Sequence, residues 1–411
     1  MPSQITRKCA FTLLAAGVAA CGDDATGNNR PASVALVAGD GQVAIGLTAL
    51  PQSLTVRVAD AGGSPLPGVP VLFQATGGGS VPQATVDTDA QGEASVEWTV
   101  GEPGSPQTLT ATVATLTPVT FTATSTVAWV AVGCCEPNAI VTSLDGITWT
   151  ARPTEFDEAF AVAFNGEQWV VAGEGAVRLA TSPDGVTWTE RDAPIADFAM
   201  AVAWDGTQWV AGGCCTGNLA TSPDGITWTE RETALEYVLG LAGNGSQWVA
   251  VGFAPDHSIE RSTDGVTWSP VDGGPEGEEA WGVAWNGTLW MATEGLAGRV
   301  YTAPDAETWT ERILGTESAH AAAWNGTTWL VSGSSGDVAL SANAMDWTIH
   351  NTGLQSNNAA AWSGSQWIVV GSPVVSTRIA TSPDGMTWTA RPNPLQRGHA
   401  IAYARPLLPI E

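Results

Sequence analysis

The sequence predicts an all-β protein in two parts, a β-sandwich followed by a seven-bladed β-propeller that its C-terminal strand closes. Three observations carry this. Residues 32–126 are short hydrophobic runs of period two, separated by Gly, Pro and Asp. From residue 127 a tryptophan-marked unit recurs seven times, ending at Trp149, Trp188, Trp228, Trp268, Trp309, Trp347 and Trp388, at spacings of 39, 40, 40, 41, 38 and 41. The first unit lacks its first strand, and a segment matching that strand stands at the other end of the chain.

Composition bounds the function. With 411 residues, 44% of them hydrophobic, the chain is long enough for two or three domains and is not disordered. A formal net charge of -26 and the lack of any basic run exclude nucleic acid as a partner.

Residues 1–20 read as a secretory signal: Arg7 and Lys8, an apolar stretch from Ala10 to Ala20 too short to span a bilayer as a helix, then small residues before Cys21. Val18-Ala19-Ala20-Cys21 resembles the lipobox of bacterial lipoproteins, which implies cleavage before Cys21 and lipid attachment there. Cleavage would remove both basic residues and no acid, leaving the mature chain still more acidic. Attachment to the membrane would then rest on the N-terminal acyl chains. Gly22 after the cysteine leans, by the same resemblance, toward the outer membrane or cell surface. Residues 21–31 are polar, turn-forming and suited to a tether.

In the sandwich region, Leu54, Val56 and Val58, then Val69, Val71 and Phe73, then Ala94, Val96, Trp98 and Val100 alternate along strands, as do Leu109, Ala111 and Val113, then Val119, Phe121 and Ala123. Trp98 is the expected core aromatic. The stretch VRVADAGGSPLPGVPVLFQATGGG followed by TDAQGEASVEW resembles group 1 bacterial immunoglobulin-like domains. That resemblance implies an immunoglobulin-like β-sandwich used for spacing or adhesion.

Each repeat unit is expected to hold four strands. In the second unit these are FAVAF, QWVVAG, RLATS and VTWTER, with Asn165-Gly166 and Asp184-Gly185 read as type I′ hairpin turns. The C-terminal match to the first strand is His399 to Tyr403, so residues 398–405 are expected to complete the first blade, leaving 406–411 as a tail. Small residues at Ala161, Ala201, Gly240, Gly282, Ala321, Ala359 and Ala400 fit crowding of the first strands about the axis. The repeated SPDGxTW resembles the Asp-box of sialidase-like (BNR-repeat) propellers. It places structural turn residues at Asp145, Asp184, Asp224, Asp264, Asp305 and Asp384, with Asn343 in the sixth copy.

The tight turns fall on one face of the ring, and the variable loops fall on the other. On the variable face, His320, Asn358 and His399 begin the first strands of three adjacent blades, where the others carry Phe160, Met200, Leu239 and Trp281. Together with Trp281 they form the candidate ligand site at the channel mouth, the alternative being polar side chains at a wet opening. Cys134-Cys135 and Cys214-Cys215 occupy equivalent loops. They read either as two vicinal disulfides, strained because adjacent Cα atoms lie about 3.8 Å apart, or as free or otherwise paired thiols. Asp256, His257, Glu276, Glu278 and Glu279 lie on the same side without calcium-loop spacing. No cofactor, metal or catalytic constellation is expected. The predicted protein is a monomeric, lipid-anchored binder of protein or glycan at the cell envelope, with a sialidase-like glycoside hydrolase as the alternative.

Overall fold

A computed structural model describes residues 30–134, 139–214, 219–275, 277–373 and 378–404. The described residues form 36 strands and no helix. The signal segment, Cys21, Cys135, Cys215, Glu276 and the 406–411 tail lie outside them.

The first module is a sandwich of two sheets. Ser33–Ala38, Leu54–Ala59 and Glu93–Val96 make one, and Gln42–Ile45, Val119–Thr126, Gln107–Thr112, Pro70–Ala75 and Thr85–Asp87 make the other. The alternating residues meet as expected: Leu54, Val56, Val71, Phe73, Leu109, Ala111 and Phe121 share one buried core with Trp98, which is 1% exposed. Sequence alternation missed Gln42–Ile45, which pairs in parallel with Val119–Thr126.

The second module is propeller-like. Five sheets follow one another along the chain, each of four antiparallel strands in sequence order. An eight-stranded sheet holds the other two units, joined where Glu158 faces Cys134. In it, Arg397–Tyr403 lies antiparallel to Trp129–Cys134, with Tyr403 opposite Trp129. The first strands touch in a cyclic order. Phe156–Phe164 neighbours Ala199–Trp204, and each first strand neighbours the next as far as Ser356–Trp362. That strand touches Arg397–Tyr403, which returns to Phe156–Phe164.

Two repeated contacts bind these units. The seven second-strand tryptophans, Trp129, Trp169, Trp209, Trp248, Trp290, Trp329 and Trp367, are all fully buried. Six of them tilt against an aromatic ring of the first strand at 4.5–5.2 Å. Tyr403 on Trp129, at 4.7 Å, repeats across the chain ends what Phe164 on Trp169 does within a unit. The fourth unit has Gly243 instead, where a Cβ would fall 3.0 Å from the Trp248 ring. Between units, the Gln168 amide donates to the Asp224 carbonyl, Gln208 does the same to Asp264 at 2.7 Å, and Gln366 to Asp145 at 2.9 Å. The last of these clasps the seventh unit to the first.

The turns correct the type I′ expectation. Phe164 pairs with Trp169, so the Asn165-Gly166 loop has four residues, and only Gly166 takes a positive φ, 99°. Asn165 Oδ1 accepts the N–H groups of Glu167 and Gln168 at 2.9 and 2.8 Å. The Asp184 turn is likewise held by side chains. Asp184 Oδ1 accepts from Val186 N, Thr187 N and the Ser182 hydroxyl, while Gly185 N donates to Ser182 Oγ. Asx bonding satisfies the turn backbone directly, so the second positive φ of a type I′ turn is not needed.

The sandwich seats on the second unit. Trp169 Nε1 donates to Thr126 Oγ1 at 2.8 Å, and Val127 N donates to the Asp184 carbonyl at 3.0 Å.

Removing the Gln366 clasp by Gln366→Ala should cost about 0.5–1.5 kcal/mol, read as a lower urea midpoint with an unchanged m-value.

Candidate functional site at the channel mouth

The seven predicted mouth positions share a backbone device. In each first strand the register slips by one residue. The residue left without a partner is Phe160, Met200, Leu239, Trp281, Asn358 or His399 in six of the units. In the remaining unit His320 N donates to the Ser332 carbonyl while Ala321 also pairs with Ser332, which makes the same bulge. A bulge re-aims its extra side chain. Here all seven line one cavity of about 650 Å³ at the centre of the first strands.

The bulge explains a glycine in the facing second strand. A Cβ at Gly133 would lie 1.7 Å from the Arg397 carbonyl, at Gly252 1.7 Å from that of Tyr237, and at Gly371 1.8 Å from that of Ser356. Bulge and glycine go together in these units, whereas the bulge at Trp281 has Glu294 at the equivalent place.

His320, Asn358 and His399 line the cavity together, and two of them, His320 and Asn358, are already engaged. His320 is 8% exposed; its Nδ1–H donates to the Asn357 carbonyl at 2.9 Å, and Nε2 lies 3.1 Å from Ser318 Oγ. Burial holds its pKa below the usual imidazole value, so it stays neutral. Asn358 donates from Nδ2 to the Gly398 carbonyl at 2.8 Å and accepts from Ser356 Oγ at 3.1 Å. His399 meets Phe160 edge-on at 5.6 Å. Its Nε2 is 2.7 Å from Glu158 Oε1, yet the N–H is not aligned with that oxygen and has no hydrogen-bond partner among the described residues. Short distance without alignment is not a hydrogen bond, and burial decides the outcome. Together with the nearby Arg397 charge, burial pushes the imidazole down to about 4.

The apolar arc is Phe160, Met200, Leu239 and Trp281. The Trp281 ring stacks on His320 at 5.0 Å and 28°, and its Nε1 donates to Glu279 Oε2 at 2.9 Å. It lies over Gly295, where a Cβ would come within 2.2 Å of the indole. Sequence reasoning missed Tyr237 and Arg397, both of which line the cavity. Tyr237 pairs opposite Phe253, while Arg397 precedes Gly398 in the last strand. Only the strand register identifies them.

The remaining candidates take structural places. Asp145, Asp224, Asp264, Asp305 and Asp384 each accept the two N–H groups that follow in the turn, as Asp184 does, and Asn343 substitutes for them in the sixth copy. Backbone N–H donation, from Thr227, Thr267, Thr308 and Thr387 first, holds Asp224, Asp264, Asp305 and Asp384 below the usual carboxylate range. Cys134 and Cys214 are both disulfide-bonded; Cys134 faces Arg397 and Cys214 faces Tyr237 across their strands, so both sit at the rim. Glu260, 1% exposed, accepts from Ala234 N at 3.0 Å and lies 3.1 Å from His257 Nε2, whose Nδ1 is 2.8 Å from Asp256 Oδ1. Among the described residues no group of three or more His, Cys, Asp or Glu side chains is arranged to hold a metal ion.

Gly371→Ala places a methyl group on the Ser356 carbonyl and should lower the unfolding midpoint far more than Gln366→Ala, as followed by urea denaturation. Acidification should also weaken the fold through His399. An unfolded imidazole takes up a proton below its ordinary 6.5 while the buried ring does not until about 4. The stability this ring withholds is therefore lost between those two values as pH falls. His399→Gln should flatten that part of a stability–pH profile.

Residues 37–128 match the model of the bacterial Ig-like domain (group 1) family. Among solved structures, virginiamycin B lyase from Staphylococcus aureus is similar at 11% identity and a TM-score of 0.50, covering 57% of this chain and 84% of the lyase. A catalytically inactive variant of that lyase with quinupristin gives 10% identity, a TM-score of 0.51 and the same coverages, 57% and 84%. YCF48 bound to D1 peptide gives 15% identity and a TM-score of 0.47, covering 63% and 88%. No curated protein matches. At these identities the likeness shows fold alone: an all-β chain with a bacterial Ig-like domain and a propeller-like remainder.

Proposed function

We propose that this chain is an exported, lipid-anchored binding or scaffold protein without catalytic activity, whose propeller recognises protein or glycan through the channel mouth. In this reading the propeller has seven blades, is built on Asp-box turns and is closed by its C-terminal strand. The pairing of Arg397–Tyr403 with Trp129–Cys134 and the cyclic order of first strands support closure. The observation that carries the function is the convergence of seven bulged side chains on one cavity, four of them apolar. Its histidines are held neutral, and His320 and Asn358 are tied to protein groups. Such a mouth is preorganised to receive a group, not to move protons.

The address rests on Val18 to Cys21, read as a lipobox, with residues 21–31 as a tether and the outer membrane or cell surface as destination. Bacterial Ig-like domains occur in surface and extracellular proteins, which agrees with an envelope location.

A sialidase-like hydrolase would need an activated tyrosine nucleophile at the channel. Tyr301 instead donates to Glu294 Oε2 at 3.0 Å inside its own sheet. Burial first, then that carboxylate, pushes it up to about 12. Tyr403 is tilted against Trp129 inside its own sheet. Neither lines the cavity, which leaves Tyr237 alone there.

Glycan and peptide arrays probed with the mature protein and with Trp281→Ala test the reading. Binding at least tenfold weaker in the variant is expected. Binding unaffected by Trp281→Ala, or turnover of a fluorogenic glycoside, would overturn it.

A further inference from the structure

Beside the mouth lies a second cavity, of about 430 Å³, lined by Ser334, Ser335, Gln355, Ser356, Ser372 and Arg397. Its chemistry is the opposite of the first. Hydroxyls, one amide and one guanidinium replace the apolar arc, and Arg397 is the one residue, among those described, that lines both.

Arg397 is exposed and poorly committed. Its Nε donates to Ser372 Oγ at 3.2 Å, which orients the guanidinium, and no carboxylate lies within ion-pair distance among the described residues. Among the described residues, four of its five donors are thus open to a ligand. The nearby acids compete weakly for it. Arg397 acts on Glu158 from beyond ion-pair distance, but burial first, then Glu174, raises the Glu158 pKa, which reduces its hold on Arg397. Glu317 accepts from the Ser335 hydroxyl at 2.8 Å, and Glu279 accepts from Trp281. A single planar guanidinium in a strongly acidic chain matches a carboxylate monoanion better than a phosphate dianion, because it meets two oxygens with two parallel N–H groups.

We propose that the ligand of the channel mouth is an amphipathic carboxylate, its aromatic or branched apolar group seated against Trp281, Leu239 and Met200 and its carboxylate received by Arg397 at the junction of the two cavities. This rests on the mouth being the binding site, and it adds the ligand's charge and the placement of its two ends. Such a group occurs at the end of a peptide chain with an apolar last residue and in aryl-linked acidic sugars.

The test is a titration of the intrinsic tryptophan fluorescence with N-acetylphenylalanine and with its uncharged amide. It uses the wild-type protein, Arg397→Gln, Arg397→Lys and Trp281→Ala. The acid should bind wild type about tenfold or more tighter than the amide, the ratio should fall to near one in Arg397→Gln, and Arg397→Lys should restore part of it. Trp281→Ala should weaken acid and amide alike. Phenyl glucuronide and phenylalanine-terminated peptides, in acid and amide forms, then tell which source of carboxylate is preferred; Arg397 dependence in either supports the proposal. Equal binding of acid and amide by wild type, or a ratio that survives Arg397→Gln, would overturn it while leaving the mouth as a binding site. Acid binding untouched by Trp281→Ala would overturn the mouth itself. Should Arg397→Gln fail to fold, Ser372→Ala releases the guanidinium without touching the closing strand. A ratio unchanged in Ser372→Ala then overturns the proposal, and a ratio reduced about threefold supports it.

Discussion

Everything at the mouth depends on one pairing, that of Arg397–Tyr403 with Trp129–Cys134. It joins the two ends of the repeat region, supplies the first unit with its missing first strand, and delivers Arg397, His399 and Ala400 to the cavity. Without it Trp129 would lose Tyr403, and the hydrophobic edge of Trp129–Cys134 would be left unpaired, a hazard that closed β architectures avoid. The clasp from Gln366 to the Asp145 carbonyl crosses the same seam on the turn side. The pairing is therefore held at its turn-side end by two neighbouring contacts, an aromatic contact within the sheet and a hydrogen bond between turns. Its cost is the ordering of a long intervening chain. The six units between the ends offset that cost by packing neighbour on neighbour, first strand against first strand.

The bulge shows how a repeated scaffold produces an unrepeated site. Every first strand leaves outside the ladder one residue that faces the cavity; Phe156–Phe164 slips a second time at Asp157, which does not line it. Because the bulged side chain does not pair or fill a blade core, its identity is free to vary while the scaffold does not. Phe160, Met200, Leu239 and Trp281 make one side greasy, and His320, Asn358 and His399 make the other polar. The backbone constraint is passed to the facing strand, where Gly133, Gly252 and Gly371 make room for the carbonyls of Arg397, Tyr237 and Ser356, each two residues before the bulge. Chemistry varies at one position because geometry is fixed at another.

Much of this was legible in the sequence, for reasons that are physical. The period-two alternation that buries Leu54, Val56, Phe73 and Phe121, and the seven buried tryptophans, follow from hydrophobic patterning alone. The equivalence of the seven mouth positions follows from the repeat. The register slip could not be read, because a bulge is a relation between two strands and leaves its local sequence as ordinary as FAVAF. The same holds for Arg397, whose place depends on that slip, and for the His320 network, whose partners Ser318, Ser334 and the Asn357 carbonyl come from separate loops and strands. The turns depart from type I′ for another reason: Asn165 and Asp184 hold them through their side-chain oxygens, a bond that the Asn-Gly and Asp-Gly pairs do not distinguish from backbone freedom.

Amide hydrogen exchange on residues 129–134, compared between the intact protein and a chain ending at residue 396, bears most directly on ring closure. The account predicts that in the intact protein these amides exchange as slowly as those of Trp209–Gly213 and Trp248–Phe253, and that truncation releases them. Fast exchange in the intact protein, or protection that the truncation leaves unchanged, would contradict it.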